Sequence, residues 1–251
     1  VIGADKVAKA APDGYTIGGF NDSLLTMVPH LNAATPFNPL SDFAHVSQVA
    51  VIEFSASVAS TSPYKTLAEL VAAAKAAPGR ITYASGGNGS PQHMAGALFA
   101  AHTGIDIKHV PYRGASQAAQ DVAGGQVDVT FQGIATVAAL AKGGKLRLIG
   151  VMMDARHPEF PATPTLKEQG ITGFDFSTWF SLAAPPGTPR EIVMRLQQEV
   201  VKALADPELK ERYAAVGLRS RGSTPEELLA VVREQLARYG KAIRENNIKG
   251  D

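Results

Sequence analysis

Residues 83–94 read YASGGNGSPQHM, and this stretch predicts a strand end, a glycine-rich loop and a helix start in immediate succession. The glycines allow the backbone to turn tightly and to approach a bound molecule closely. Ser90 suits the N-cap position and Pro91 suits the first helical position. Because a helix N-terminus has unpaired N–H groups and a partial positive charge, the stretch indicates an anion site. An ordinary glycine turn before a helix would use the same residues.

Three other predicted helices begin with a different pattern. Each has a threonine followed three residues later by a glutamate, at positions 66 and 69, 188 and 191, and 224 and 227. In such a capping box the glutamate occupies donors of the helix's own first turn. The helix predicted from Pro91 has no acid in its first turn, so its positive end is left available for a ligand.

The composition is that of a soluble globular protein. Of the 251 residues, 45% are hydrophobic and 19% are charged, and the formal net charge of +1 indicates neither nucleic acid nor an anionic membrane as partner. No apolar run approaches the roughly 18 residues of a membrane span, so the chain is not expected to be membrane-inserted. Cysteine is absent and the six histidines form no HxH or HExxH pattern, so a metal site is not expected. No cofactor is expected either, because the glycine-rich loop lacks the third glycine of a dinucleotide fingerprint.

Short β-rich runs alternate with alanine-rich helical ones. The predicted strands cover residues 15–20, 52–59, 81–84, 108–111, 127–131, 146–152 and 179–184. The predicted helices cover residues 66–77, 91–102, 116–124, 135–143, 189–204, 207–215 and 225–246. This alternation predicts an α/β fold with parallel-rich sheets flanked by helices.

Two segments indicate crossings between domains, at residues 53–63 and 177–189. A continuous lobe of residues 58–179 would lie between them. Residues 1–57 would then fold together with residues 180–251 as a discontinuous second lobe.

A second glycine turn after a strand is HVPYRGAS at residues 109–116. Here Ser116 is the expected cap, and the predicted first turn again has no acid. Because ligands in open α/β sheets bind beyond the carboxyl ends of strands, two open helix ends on one lobe indicate a binding edge. Arg113 could add donors for a carboxylate, or could pair with an acid on the surface.

Two further strand exits have polar residues. Asn21 and Ser23 follow the first strand as polar contacts or caps, while Asp22 between them suits an amino group or a helix cap. Phe131 and Gln132 end another strand and could form the wall of a pocket, although Phe131 also suits the core.

The sequence has few features of a catalytic site. The sequence has no GxSxG elbow and no GxxxxGK[ST] loop, and the glycine loop lacks the third glycine of a dinucleotide fingerprint. His93 is poorly placed as a base for Ser90 within one helix start, and we expect it to act as a donor. Trp179 and Phe180, at the second crossing, would either pack or contact an aromatic ligand.

Taken together, these segments resemble the tripartite tricarboxylate transporter substrate-binding proteins, the Bug family, over essentially the whole chain. The matching segments are AAPDGYT (10–16), YASGGNGSPQHMAG (83–96), HVPYRGA (109–115), GGQVDVTF (124–131), GKLRLIGV (144–151), FPATPTLKEQG (160–170), APPGTP (184–189) and NNIK (246–249). The resemblance implies a two-lobed periplasmic-binding-protein fold of type II, with two crossing strands. It also implies a monomer in the periplasm that captures a small organic carboxylate between its lobes and delivers it to membrane permease subunits.

The resemblance further implies that loop amides, small hydroxyls and water hold the carboxylate. Combined with the strand exits, the candidate ligand-binding residues are Asn21, Ser23, Ser85, Gly86, Asn88, Gly89, Ser90, Gln92, His93, Arg113, Gly114, Ala115, Phe131, Gln132, Trp179 and Phe180. Family members normally have a further β-α unit before the segment that corresponds to Ile2, and residues 1–10 already have a helical pattern with no signal peptide. We therefore expect an N-terminal β-α unit and a signal peptide to be missing from this sequence.

Two other functions are compatible with the same residues. The protein could present its ligand-bound form to a membrane histidine kinase as a sensor. It could also be an enzyme that holds an anionic substrate on the helix that begins after Ser90.

Overall fold

The computed structural model describes residues 1–215, 218–246 and 248. Residues 247 and 249 of the NNIK segment lie outside the described residues. The α-helices are α1 (Ile2–Ala8), α2 (Asp22–Thr26), α3 (Val28–Leu31), α4 (Leu67–Ala76), α5 (Pro91–Thr103), α6 (Ala115–Ala123), α7 (Ile134–Lys142), α8 (Arg190–Leu204), α9 (Pro207–Ala215) and α10 (Pro225–Glu245). The strands are β1 (Gly18–Asn21), β2 (Ala44–Ala59), β3 (Thr82–Ser85), β4 (Lys108–Pro111), β5 (Val129–Gly133), β6 (Leu146–Val151), β7 (Ser177–Ala184) and β8 (Leu218–Ser220). This mixture of strands and flanking helices confirms the predicted α/β class.

The chain divides into two compact units. Unit 1 consists of residues 1–51 and 178–251, and unit 2 consists of residues 52–177. The 16-residue strand β2 begins in unit 1 and ends in unit 2. That these units act as ligand-closing lobes stays a prediction.

The sheet of unit 2 determines where its helices begin. Its strand order is β6-β2-β5-β3-β4, in which β3 runs parallel to both β4 and β5 while β2 runs antiparallel to β5 and β6. In the register Tyr83 lies beside His109 on one side and beside Val129 on the other. The carboxyl ends of β3, β4 and β5 therefore meet at one edge, which we call the carboxyl edge.

Strand β5 lies in the core of unit 2. Every residue of β5 is buried. The ring of Phe131 packs against Phe99 of α5 at 5.0 Å and against Tyr83 of β3 at 6.1 Å. The contact between Phe131 and Phe99 thus holds α5 on the sheet.

Unit 1 has its own strand pairs and its own core. Strands β7 and β8 pair with β2, and β1 pairs antiparallel with β7, so that Gly18 lies opposite Ala183. Its buried cluster includes Phe20, Phe43 and Trp179, with Leu228 of α10. The rings of Phe20 and Phe43 meet edge to face at 5.1 Å.

Several predicted boundaries in unit 1 are wrong. Residues 15–17 are not strand, because the backbone N–H of Tyr15 donates to Asp13 in a turn and the Tyr15 ring is 94% exposed. Residues 44–51 belong to strand β2. The sequence does not predict this part of the strand, because polar His45, Ser47 and Gln48 interrupt the apolar pattern. Strand β8, with three residues, was also missed.

Two of the three predicted capping boxes are confirmed, at Thr66 before α4 and at Thr224 before α10. The box predicted at Thr188 is wrong. Helix α8 begins at Arg190 with Pro189 as its N-cap, one residue later than the pattern requires. The Thr188 hydroxyl donates instead to the carbonyl of Pro185 at 2.8 Å, which closes the proline–glycine turn.

Candidate functional site

Three helices of unit 2 begin at the carboxyl edge without an acid in the first turn. They are α5, α6 and α7, which follow β3, β4 and β5. Helix α4 of the same unit differs, because the chain leaves the antiparallel strand β2 at the opposite edge and the helix is capped by Thr66 and Glu69. The positive helix ends without an acid thus converge on one edge of the sheet.

The first turn of α5 has few backbone N–H groups available to a ligand. Ser90 is its N-cap, as predicted, and the Ser90 hydroxyl accepts from the N–H of His93 at 3.3 Å. The N–H of Met94 donates to the Ser90 carbonyl, and Pro91 has no N–H. The N–H of Gln92 is the one first-turn donor without a partner among the described residues.

The glycine-rich loop before α5 is fixed largely by its own hydrogen bonds. Gly87 and Gly89 have φ angles of 115° and 72°, a region that L side chains rarely adopt. The Ser85 hydroxyl oxygen accepts from the N–H of Gly87 at 3.1 Å, and the N–H of Ser90 donates to the Gly87 carbonyl at 3.1 Å. The loop therefore has a defined shape before any ligand arrives.

The N-terminus of helix α6 has more unpaired backbone donors than that of α5. Its N-cap is Gly114, with no side-chain cap, and the N–H groups of Ala115, Ser116 and Gln117 have no hydrogen-bond partner in the described part of the chain. The prediction that Ser116 is the cap is wrong, because Gly114 already occupies the last extended position and Ser116 is the second helical residue. Three free backbone donors at a positive helix end form a site suited to a carboxylate.

The loop between β3 and α5 lies directly against the start of α6. A methyl group placed on Gly86 would lie 3.0 Å from the Ala115 nitrogen and 3.4 Å from the Gly114 carbonyl carbon. The two loops can approach this closely because Gly86 has no side chain. The structure thus brings together the predicted residues Gly86, Gly114 and Ala115.

Gln132 connects the end of β5 to the start of α6. It is fully buried, and its side-chain N–H donates to the carbonyl of Ala115 at 2.9 Å. Its side-chain oxygen has no partner among the described residues. Helix α7 begins two residues later with Gly133 as its N-cap, again without a side-chain cap. Gln132 therefore holds the α6 terminus in place.

A stack of aromatic rings underlies the glycine-rich loop. The imidazoles of His93 and His109 lie 4.1 Å apart and nearly parallel, and the ring of Tyr83 stacks on His109 at 4.9 Å. His109 also makes a 2.5 Å hydrogen bond through Nε2 to the Ser85 hydroxyl. Burial raises the pKa of the Tyr83 phenol, so that ring stays neutral.

The role predicted for His93 as a donor is wrong at Nδ1, which accepts from the N–H of Gly89 at 3.1 Å. His109 was not among the candidate residues, although its segment was. The parallel register that places it beside Tyr83 is a property of the sheet, and only the repeated pattern of strand, glycine turn and helix indicated that the two loops meet.

Arg113 and Asn88 are the exposed members of the set in unit 2. The Arg113 guanidinium has no ion-pair partner in the described ranges, so the surface pairing considered for it is not seen. Its contact with a ligand stays a prediction.

In unit 1, Asn21 is a helix cap, because its side-chain oxygen accepts from the N–H of Leu24 at 3.2 Å. Ser23 is buried, and its N–H donates to the Asp22 carboxylate at 2.8 Å. Asp22 itself is fully buried, one of its oxygens has no partner among the described residues, and this burial raises its pKa to about 8. Ligand contacts of Asn21 and Ser23 stay predictions.

The aromatic candidates differ in exposure. The Trp179 indole N–H donates to Gln235 at 2.8 Å and the side chain is 3% exposed, so it is part of the unit 1 core. Phe180, the next residue, is 39% exposed on the other face of β7. Phe131 lies in the unit 2 core. Contact of any of these three aromatic residues with a ligand stays a prediction.

A cavity of about 560 Å³ lies elsewhere in unit 2, between α4 and residues 169–172. Its lining includes Lys75, His102 and Gln169, and it includes none of the candidate residues. Because His102 belongs to the last turn of α5, this cavity is at the opposite end of that helix from the carboxyl edge. We therefore assign the candidate site to the open helix starts.

Within the described residues, no group of three or more histidine or acidic side chains is placed to hold a metal ion. In the same residues no helix is both long and apolar enough to cross a membrane.

Solved structures show which class of protein has this fold. The structure of Rpa4515 from Rhodopseudomonas palustris with adipate superposes with a TM-score of 0.92 at 29% identity, covering 99% of this chain and 83% of that one. MatC from the same organism, with bound malate, gives a TM-score of 0.87 at 26% identity, covering 96% of this chain and 83% of that one. The chain therefore has the fold of the periplasmic solute-binding proteins.

The family follows from the sequence. The profile of the tripartite tricarboxylate transporter family receptor, TctC, matches residues 1–248, and the chain belongs to this family. Among curated relatives, the protein BugT of Bordetella pertussis is 32% identical over 253 residues, which span 99% of this chain and 77% of BugT. The predicted resemblance to the Bug proteins is confirmed.

Proposed function

We propose that this chain is a periplasmic solute-binding protein that captures a small organic carboxylate and delivers it to the membrane permease of a tripartite tricarboxylate-type transporter. Membership of the receptor family supports the role in transport. The adipate and malate bound in two structural neighbours support the class of ligand. On this proposal the protein performs no catalysis and acts as a monomer.

The observation that supports the proposal most directly is the start of α6. The N–H groups of residues 115–117, which have no partner among the described residues, lie at a positive helix end with no acid in the first turn. Exposed Arg113 lies just before them. A carboxylate has two acceptor oxygens and one negative charge, so it can use several of these donors at once. Hydroxyls, amines and neutral sugars lack the charge that the helix end favours.

Direct binding measurements test the proposal. Isothermal calorimetry with adipate, malate and citrate should give saturable binding by at least one of them. Inorganic phosphate is a non-carboxylate anion control. A ligand at about 100 times its Kd should also raise the unfolding free energy by about 2.7 kcal/mol, which thermal unfolding detects.

Placement of the site at α6 is tested with Gln117→Glu, which changes one atom and puts a charge in the first turn. A negative charge there stabilises the helix by about 0.3–1 kcal/mol but repels a bound carboxylate. At roughly 6 Å and an effective dielectric constant of about 40, the repulsion is about 1.4 kcal/mol, or a tenfold loss of affinity. Stability and affinity should thus change in opposite directions.

Gln120→Glu is the matched control, because it makes the same chemical change on an exposed residue three positions further along α6. We expect it to alter the affinity much less than Gln117→Glu does. Equal losses in the two variants would place the ligand away from the α6 terminus. Binding of phosphate alone, with no carboxylate bound, would contradict the proposed class of ligand.

A further inference from the structure

The glycine-rich loop is held from below by two imidazoles. His93 accepts from the N–H of Gly89 through Nδ1, and His109 bonds the Ser85 hydroxyl, which in turn holds the N–H of Gly87. Both ends of the loop are therefore fastened to ring nitrogens. Since His93 is only 6% exposed, water cannot readily replace its bond to the loop.

The direction of the bond at Gly89 determines the charge of His93. A backbone N–H can only donate, so Nδ1 must carry a free electron pair. In the neutral ring that leaves the proton on Nε2. A protonated ring would carry a hydrogen on Nδ1, and two donors would then face each other across 3.1 Å.

We propose that neutral His93 is a positioning residue for carboxylate binding, and that protonation of its ring releases Gly89 and weakens the site. The inference rests on the proposed function and adds a proton dependence to it. The released segment contacts the α6 terminus, because Gly86 lies against Ala115. Loss of the bond at Gly89 therefore disturbs the donors that would hold the carboxylate.

Several titratable side chains lie on or beside the elements that pack against α5. The strands that pack against α5 contribute the titratable side chains of Tyr83, Lys108 and His109. Asp128 immediately precedes β5, and the segment next to Phe174 adds Asp175. Lys108 is exposed, and the Asp128 carboxylate bonds Thr82 at the start of β3. The stacked His109 ring is 4.1 Å away, so two protonated imidazoles would repel each other.

The test compares wild type with two variants between about pH 8 and about pH 5, the range in which histidine changes its charge. In His93→Asn the side-chain oxygen occupies the place of Nδ1 and accepts without titrating. In His93→Leu the acceptor is lost at every pH. Binding of adipate and malate is measured by calorimetry, and protection of the Gly89 amide is measured by NMR hydrogen exchange without any ligand.

In the wild type we expect the affinity to fall about tenfold per pH unit below the titration midpoint, as one bound proton requires. Protection at Gly89 should fall over the same range. His93→Asn should rescue the affinity relative to His93→Leu and should remove the pH dependence of both measurements.

Constant Gly89 protection in the wild type would overturn the proposal, and so would an unchanged pH profile in His93→Asn. If neither adipate nor malate binds at any pH while Gly89 still loses protection in acid, the release of Gly89 on protonation of His93 is supported and the proposed carboxylate function fails. The two conclusions are thereby tested separately.

Discussion

Asp22 should make unit 1 less stable as the pH rises, and Asp22→Asn should remove this effect. The carboxyl is fully buried, one oxygen accepts from the N–H of Ser23 at 2.8 Å, and the other has no partner among the described residues. Desolvation raises its pKa from 3.8 to about 8. In the folded state it therefore keeps its proton at neutral pH, whereas in the unfolded chain it loses the proton above about pH 4.

The sign follows from the proton count. Between about pH 4 and pH 8 the unfolded chain binds fewer protons than the folded one, so the free energy of unfolding falls as the pH rises. The free energy of unfolding has fallen by its full amount above the folded-state pKa of about 8, and for this difference in pKa the fall is on the order of 5 kcal/mol. Asparagine resembles the protonated acid in shape and keeps the acceptor for Ser23, so Asp22→Asn should match wild type near pH 4 and exceed it in stability near pH 8.

Urea unfolding at several pH values measures this difference. Trp179, the only tryptophan, is buried in the core of the same unit and reports on it by fluorescence. Asp42→Asn is the control, because hydrogen bonds from the Asn38 N–H and the Ser41 hydroxyl lower the Asp42 pKa. Its contribution is present above the unfolded pKa and is lost as the pH falls. A stability difference between wild type and Asp22→Asn that is the same at every pH would refute the reasoning.

Three further substitutions give expected outcomes. Gly86→Ala places a methyl group 3.0 Å from the Ala115 nitrogen, so we expect weaker carboxylate binding by calorimetry with a circular dichroism spectrum like that of wild type; unchanged affinity would contradict the close loop contact. Thr224→Ala removes the capping box of α10 and should cost about 1 kcal/mol in urea unfolding, and no cost would mean that the cap is dispensable. Phe131→Ala empties a fully buried position between Tyr83 and Phe99 and should cost about 3–5 kcal/mol; a loss below 1 kcal/mol would exclude a core role.

The features that sequence patterns predicted well are local. The cap at Ser90, the boxes at Thr66 and Thr224, and the absence of acids after β3 and β4 depend on residues within one helical turn. The same rule failed at Thr188 and Ser116, where the helix start is shifted by one or two residues. A shift of that size changes which side chain can reach the free N–H groups.

The features that were missed depend on distant parts of the chain. Residues 44–51 form strand because β7 and β8 pair with β2, which local propensity does not reveal. The stack of His93 on His109 needs two parallel strands and a helix to meet.

The reliance of the candidate site on main-chain donors separates two properties that evolution can then change independently. Every residue except proline carries the same N–H, so neutral substitutions other than proline at positions 115–117 keep these backbone donors in place. The side chains around that grip are free to diverge and to select different carbon skeletons. On the proposed function, a lineage of such proteins can therefore acquire new ligands while each member still binds the carboxylate group.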